Sequence, residues 1–194
     1  CLYGFDFNSA DEQTDQNGFR VIYHKDIITD TSLLISDDDI PCDSFSSDEY
    51  DFPLKKEFIL CAEEPDKCPA TPDDYRFGNA LVSSYSEIMG QEVSNYWNID
   101  GYDTPYDRCP ESVAFIGGYP RFTQSDPRED CPSLEGFDRV LFELGSLQGE
   151  EITSWGGHDF DIIWGDVGTG VFLIPAEKLR ACDFSEVVYN YDCG

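Results

Sequence analysis

The stretch Trp164-Gly165-Asp166-Val167-Gly168-Thr169-Gly170-Val171-Phe172-Leu173-Ile174 changes texture halfway along. Glycine and polar residues alternate in its first half, and an unbroken apolar run fills its second. Such a pattern writes a tight corner feeding a buried β-strand. A phosphate loop would need a strand before the glycines and a helix after them, whose amides face the anion. Here a strand follows, and no lysine accompanies the glycines. The corner is therefore expected to be architectural, with its glycines at positive φ and Asp166 bonding local amides.

The same alternation extends outward. Strands are expected at 113–116, 139–144, 170–174 and 187–191, and earlier ones at 2–7, 18–23, 33–35 and 58–61. One main helix is predicted over about 73–89. It starts after Thr71-Pro72, with Asp73 and Asp74 near its positive end, and Gly90 offers a stop. Phe77, Leu81, Tyr85 and Ile88 fall on one of its faces. Residues 175–181 suit a short helix with Pro175 in the first turn. The fold class is α+β: a β-rich single domain with a mostly antiparallel sheet and one main helix.

Composition limits function. The 194 residues suit one domain with a real core, and the 40% apolar and 14% aromatic content is too rich for intrinsic disorder. No apolar run approaches the roughly 18 residues of a membrane span. Forty acidic side chains against 12 basic ones give a net charge of −28. Phosphates would be repelled, which excludes nucleic acid as a primary partner, whereas a basic protein partner would be drawn in. Residues 1–51 alone hold 13 acids and two bases, including Asp37-Asp38-Asp39.

Eight cysteines (1, 42, 61, 68, 109, 131, 182 and 193) are compatible with four disulfides or with free thiols. A chain this long and this aromatic does not need staples, so mostly free thiols are expected. The chain opens on Cys1 and its sole methionine is Met89. A longer precursor is expected from this, secreted or lipid-anchored if Cys1 is a mature N-terminus.

Candidate chemistry is sparse. His24 and His158 are the only histidines and no Cys-x-x-Cys occurs, so no metal is assigned. Asp100, Asp103 and Asp107 lack the spacing of a helix-loop-helix calcium site. Gly145-Ser146-Leu147-Gln148-Gly149 places its serine one residue off a nucleophile elbow. Neither a catalytic residue nor a cofactor is assigned. Gly117-Gly118-Tyr119-Pro120 reads as a bend with an aromatic anchor. Asp126-Pro127-Arg128 sets a carboxylate and a guanidinium at a turn, for local pairing or for a ligand. If a pocket exists, Tyr119, Gln124, Asp126, Arg128, Trp164 and Asp166 are the candidates to line it.

These stretches, with Leu2-Tyr3-Gly4-Phe5-Asp6-Phe7, Gly18-Phe19-Arg20-Val21-Ile22-Tyr23-His24, Leu141-Phe142-Glu143-Leu144 and Asp183-Phe184-Ser185 through Tyr191-Asp192-Cys193, resemble the bacterial YwqG-like family, a domain of unknown function. The resemblance spans nearly the whole chain. It implies a mixed α/β fold dominated by sheet, a cytoplasmic location and free thiols, with 1–194 as one domain lacking the family's N-terminal portion. It also implies an immunity-type role, because relatives occur beside bacterial toxin genes. The leading expectation is a non-enzymatic, acidic protein-interaction protein. The alternatives are a small-molecule-binding domain or unrecognised enzyme, and a secreted or surface structural module.

Overall fold

The computed structural model describes residues 13–16, 19–26, 28–33, 53, 60–61, 70–102, 114–149 and 161–194. Its centre is an antiparallel sheet in the order β1 (Ala114–Phe115), β2 (Arg139–Gly145), β5 (Thr169–Ile174), β6 (Val188–Asp192). A smaller pair joins β3 (Leu147–Gln148) to β4 (Asp161–Ile162). The helices lying wholly within the described residues are α1 (Phe77–Met89), α2 (Pro127–Asp130) and α3 (Ala176–Arg180). The architecture is a β-rich α+β fold.

β5 is the apolar half of the stretch quoted first. It lies between β2 and β6, with Phe142 opposite Phe172 and Phe172 opposite Tyr189. Because side chains alternate along a strand, its residues supply two cores. Phe172 and Ile174 point to one face, with Leu144, Tyr189, Phe19, Ile162, Trp164 and Val187. Val171 and Leu173 point to the other, with Val140, Val188, Phe122 and Leu134. Val171, Leu173 and Ile174 are fully buried, which is why the strand carries no polar alternation. Each such side chain contributes roughly 1.5–3 kcal/mol of transfer free energy. A bulge between Val140 and Phe142 shifts the register and puts Glu143 on the second face.

The corner before β5 is structural, in part for a different reason than expected. Gly165 takes φ +52°, but the other left-handed residue is Val167 at +62°, a costly choice for a β-branched side chain. Gly168 and Gly170 are there for space. A Cβ on Gly170 would lie 2.5 Å from the Trp164 ring, and one on Gly168 would strike the Asp192 carbonyl oxygen. Asp166 contributes its backbone carbonyl, which accepts from Gly194 N–H at 3.3 Å, and its side chain is exposed.

Several sequence expectations shift. The main helix begins at Phe77 rather than 73, because the preceding amides are captured by side chains. Asp126 Oδ2 accepts from Tyr75 N–H at 3.1 Å, and Asp74 Oδ1 accepts from Arg76 N–H at 2.9 Å. α1 contributes no fully buried residue, and Ile88 is 80% exposed. Leu33 closes a 3-10 turn (Thr31–Leu33) rather than opening a strand, since Asp30 Oδ1 takes both Ser32 N–H at 3.0 Å and its hydroxyl at 2.7 Å. Phe19 forms a single bridge, and 20–24 and 60–61 are not strand. The expected strand at 2–7, and residues 34–35 and 58–59, lie outside the described residues. Cys61, Cys131, Cys182 and Cys193 are free thiols. No described helix is long and apolar enough to cross a membrane.

Candidate functional site

The turn before α1 and the segment from 120 to 129 are tied together by polar side chains. Thr71, fully buried, donates its hydroxyl to the Pro120 carbonyl at 3.0 Å. Asp126 caps α2 by accepting from Arg128 N–H at 3.0 Å. The Arg128 guanidinium forks the Asp126 carboxylate, with Nε at 2.8 Å from Oδ1 and Nη2 at 2.5 Å from Oδ2. It also donates to Asp74 Oδ2 at 3.2 Å and to the Phe137 carbonyl at 3.1 Å, and sits 5.1 Å from the Tyr75 ring centroid. Arg76 forks Asp74 in turn, at 2.8 and 2.5 Å. Burial pushes the Asp74 carboxyl up, but the Arg76 hydrogen bonds and the Arg128 and Arg76 charges outweigh it and hold it below the ordinary range.

Above this framework opens a cavity of about 530 Å³ between the start of α1, residues 94–97 and residues 122–129. That volume lies within the range of small-ligand sites. Its lining includes Asp73, Asp74, Asp126 and Glu129 and the rings of Tyr75, Tyr96, Trp97 and Phe122, with no lysine, arginine or histidine. The ring wall is braced. Tyr96 and Trp97 stack with centroids 4.4 Å apart, and Phe77 meets Tyr96 edge-on at 5.6 Å. Asn95 Oδ1 caps the turn by accepting from Trp97 N–H at 3.0 Å. Gly78 lets the Tyr96 ring lie against the helix, since a Cβ there would stand 3.2 Å from it. Burial and the nearby Asp73 charge push the Tyr96 phenol up.

The six sequence candidates separate. Gln124 and Asp126 line the cavity, and Arg128 stands behind its wall, fully buried. Gln124 also fastens the chain end, donating N–H to Asp192 Oδ2 at 2.8 Å and its amide to the Cys193 carbonyl at 2.5 Å. Trp164 is core, its ring tilted against Tyr189 and Tyr191, and among the described residues its indole N–H has no partner. Tyr119 and Asp166 are exposed and do not line the cavity. Sequence reading overlooked Tyr96, Trp97 and Glu129, and treated Asp73 only as a helix-end charge. The Tyr96-Trp97 pair in a polar loop was the available signal. Among the described residues no group of three His, Cys, Asp or Glu is placed to hold a metal ion. His158, Asp103 and Asp107 lie outside them.

Glu143 is the most perturbed acid beneath this region. It is 2% exposed, its Oε2 accepts from Arg121 N–H at 3.0 Å, and burial raises its pKa to about 8. The Arg121 bond and charge oppose that rise, and the Asp73 and Asp192 charges add to it. Because the folded value exceeds the ordinary 4.5, the folded state holds this proton more tightly. Its contribution is complete in acid and is lost as pH rises through about 8. Urea unfolding is expected to show about 2 kcal/mol lost between ~pH 6 and ~pH 8, a slope that Glu143→Gln removes.

The fold and the cavity together describe a β-rich α+β domain: an open antiparallel sheet with an acidic, aromatic cavity at the start of its main helix. The chain belongs to the family described as a domain of unknown function, DUF1963, matched over residues 2–193. No curated protein matches it.

Proposed function

We propose that this chain is a non-catalytic interaction protein whose partner is a basic protein. The observation that carries the reading is charge placement. Forty acids stand against 12 bases overall, and the cavity beside α1 has Asp73, Asp74, Asp126 and Glu129 in its lining and no basic side chain. Such a field speeds encounter with a cation and disfavours anionic partners. Asp74 and Asp126 are committed to arginines, which suits a rigid wall better than proton transfer. The YwqG-like, bacterial resemblance supports a cytoplasmic, immunity-type role, in which the captured protein would be a cationic toxin.

The test is capture on immobilised chain at ~0.05 M and ~0.5 M salt, where the Debye length falls from about 14 to about 4 Å. Bound proteins should be basic, identified by mass spectrometry, and released at the higher salt. Absence of any salt-released basic protein overturns the reading. A second reading, a small-molecule ligand, is favoured by the cavity's size and by Gln124 and Asp126 on its wall.

A further inference from the structure

We infer that the cavity is a receptor for one organic cation: the guanidinium or ammonium head of an arginine or lysine side chain, or the same group on a free small molecule. This rests on the reading that the protein's partner is cationic, and gives that reading a location and a chemistry. The chain already solves the problem once. Arg128 is held over Tyr75 and between Asp126 and Asp74, an aromatic face with two carboxylates. On the cavity side Asp73 and Glu129 recur together with the Tyr96 and Trp97 rings. Tryptophan is the strongest of the aromatic partners for a cation, and an alkyl stem can lie along such rings.

The alternatives fit less well. An anion would meet the Asp73 and Glu129 carboxylates in the lining, and the first amide of α1, Phe77 N–H, already donates to the Asp74 carbonyl at 2.8 Å. A bare metal ion needs converging oxygens, and among the described residues no group of three suitable side chains converges. Carboxylates dispersed around an aromatic wall suit a large, delocalised charge. Trp97, 60% exposed, stands where such a head would enter, and its ring is fixed by Tyr96 and by Tyr102 edge-on at 5.9 Å. The site is preorganised, which lowers the ordering cost of binding.

The test follows the Trp97 indole N–H by nitrogen-15 NMR while n-butylguanidinium is added, with n-butanol and butyrate as neutral and anionic matches. A saturable shift with a Kd of about 1–10 mM is expected for butylguanidinium alone, as suits a ligand of side-chain size. Asp73→Asn with Glu129→Gln should weaken it about fivefold or more, and Trp97→Ala similarly by a fluorine-labelled Tyr96 readout. Glu135→Gln, outside the cavity, should leave it unchanged, and circular dichroism melts should confirm that all variants fold. A blocked Gly-Arg-Gly peptide binding more tightly than butylguanidinium indicates a polypeptide source, and binding no more tightly indicates a free ligand. Equal shifts with n-butanol, or none up to ~50 mM butylguanidinium, overturn the inference. Basic-protein capture that survives the cavity substitutions overturns it too, while leaving the broader charge reading standing.

Discussion

Replacing Arg128 with methionine is expected to lower the unfolding free energy by about 3–5 kcal/mol, because it strands buried carboxylates. Arg128 and Asp126 side chains are 0% and 1% exposed, and Asp74 is 1% exposed. In Arg128→Met, Asp126 keeps, among the described residues, the backbone N–H donors of position 128 and Tyr75, and Asp74 keeps Arg76. Arg128→Lys should recover little, since an ammonium cannot fork Asp126 and reach Asp74 and the Phe137 carbonyl together. Urea titration at neutral pH measures the loss. An independent signature comes from acid. Asp74 is held below its ordinary pKa, so its contribution is complete above that value and is lost as pH falls through the folded one. Removing the Arg128 charge raises the folded value, and the acid-unfolding midpoint should move to higher pH. A loss below ~1 kcal/mol would mean that the pair is solvated and contributes only as a surface ion pair.

That pair shows how far local text reaches. Asp126-Pro127-Arg128 announces a carboxylate beside a guanidinium, and the capping geometry follows from two residues of separation. Its third member, Asp74, comes from 54 residues away, and Asp126 spends its other oxygen on Tyr75 N–H. Those long-range bonds also explain why α1 starts late. Periodicity places Phe77, Leu81, Tyr85 and Ile88 on one face, but it cannot say whether anything packs there. β5 was legible for the opposite reason: a strand covered on both faces must be apolar at every position, and Val171 to Ile174 are. Glu143 escaped notice because charged residues alternate harmlessly in most strands. The bulge after Val140 decides which of the two covered faces it takes, placing it opposite Val171. The cavity was the least legible feature, since its walls come from three segments, each of which reads alone as a loop or a helix start.

Gly168→Ala is expected to destabilise the fold by about 3 kcal/mol or more, beyond the ordinary range for overpacking because the collision is with backbone. Its φ is not left-handed, so conformational freedom is not the reason for glycine here. An added Cβ would strike the Asp192 carbonyl oxygen and stand 2.7 Å from Cys193 Cα and Cβ. Gly168 is also where three segments meet. Its N–H donates to the Trp164 carbonyl at 2.7 Å, and its own carbonyl accepts from Ser146 N–H at 3.1 Å and Oγ at 2.8 Å. Moving the chain end away would pull Asp192 from Gln124 N–H, and with it a strut of the cavity wall. Gly136→Ala supplies the control: no atom of the described residues lies within 4 Å of its Cβ position and its φ is unexceptional, so the change should stay within about 0.5 kcal/mol. Gly165→Ala should fall between them. Its φ of +52° strains any side chain, but the nearest atom it meets is the Tyr191 hydroxyl, at the movable end of a side chain. Thermal melts of the three variants rank these causes. If Gly168→Ala melts with the parent, the close crossing of the corner and the last strand is not what holds this sheet edge, and the corner's glycines would have to be explained by their backbone conformation alone.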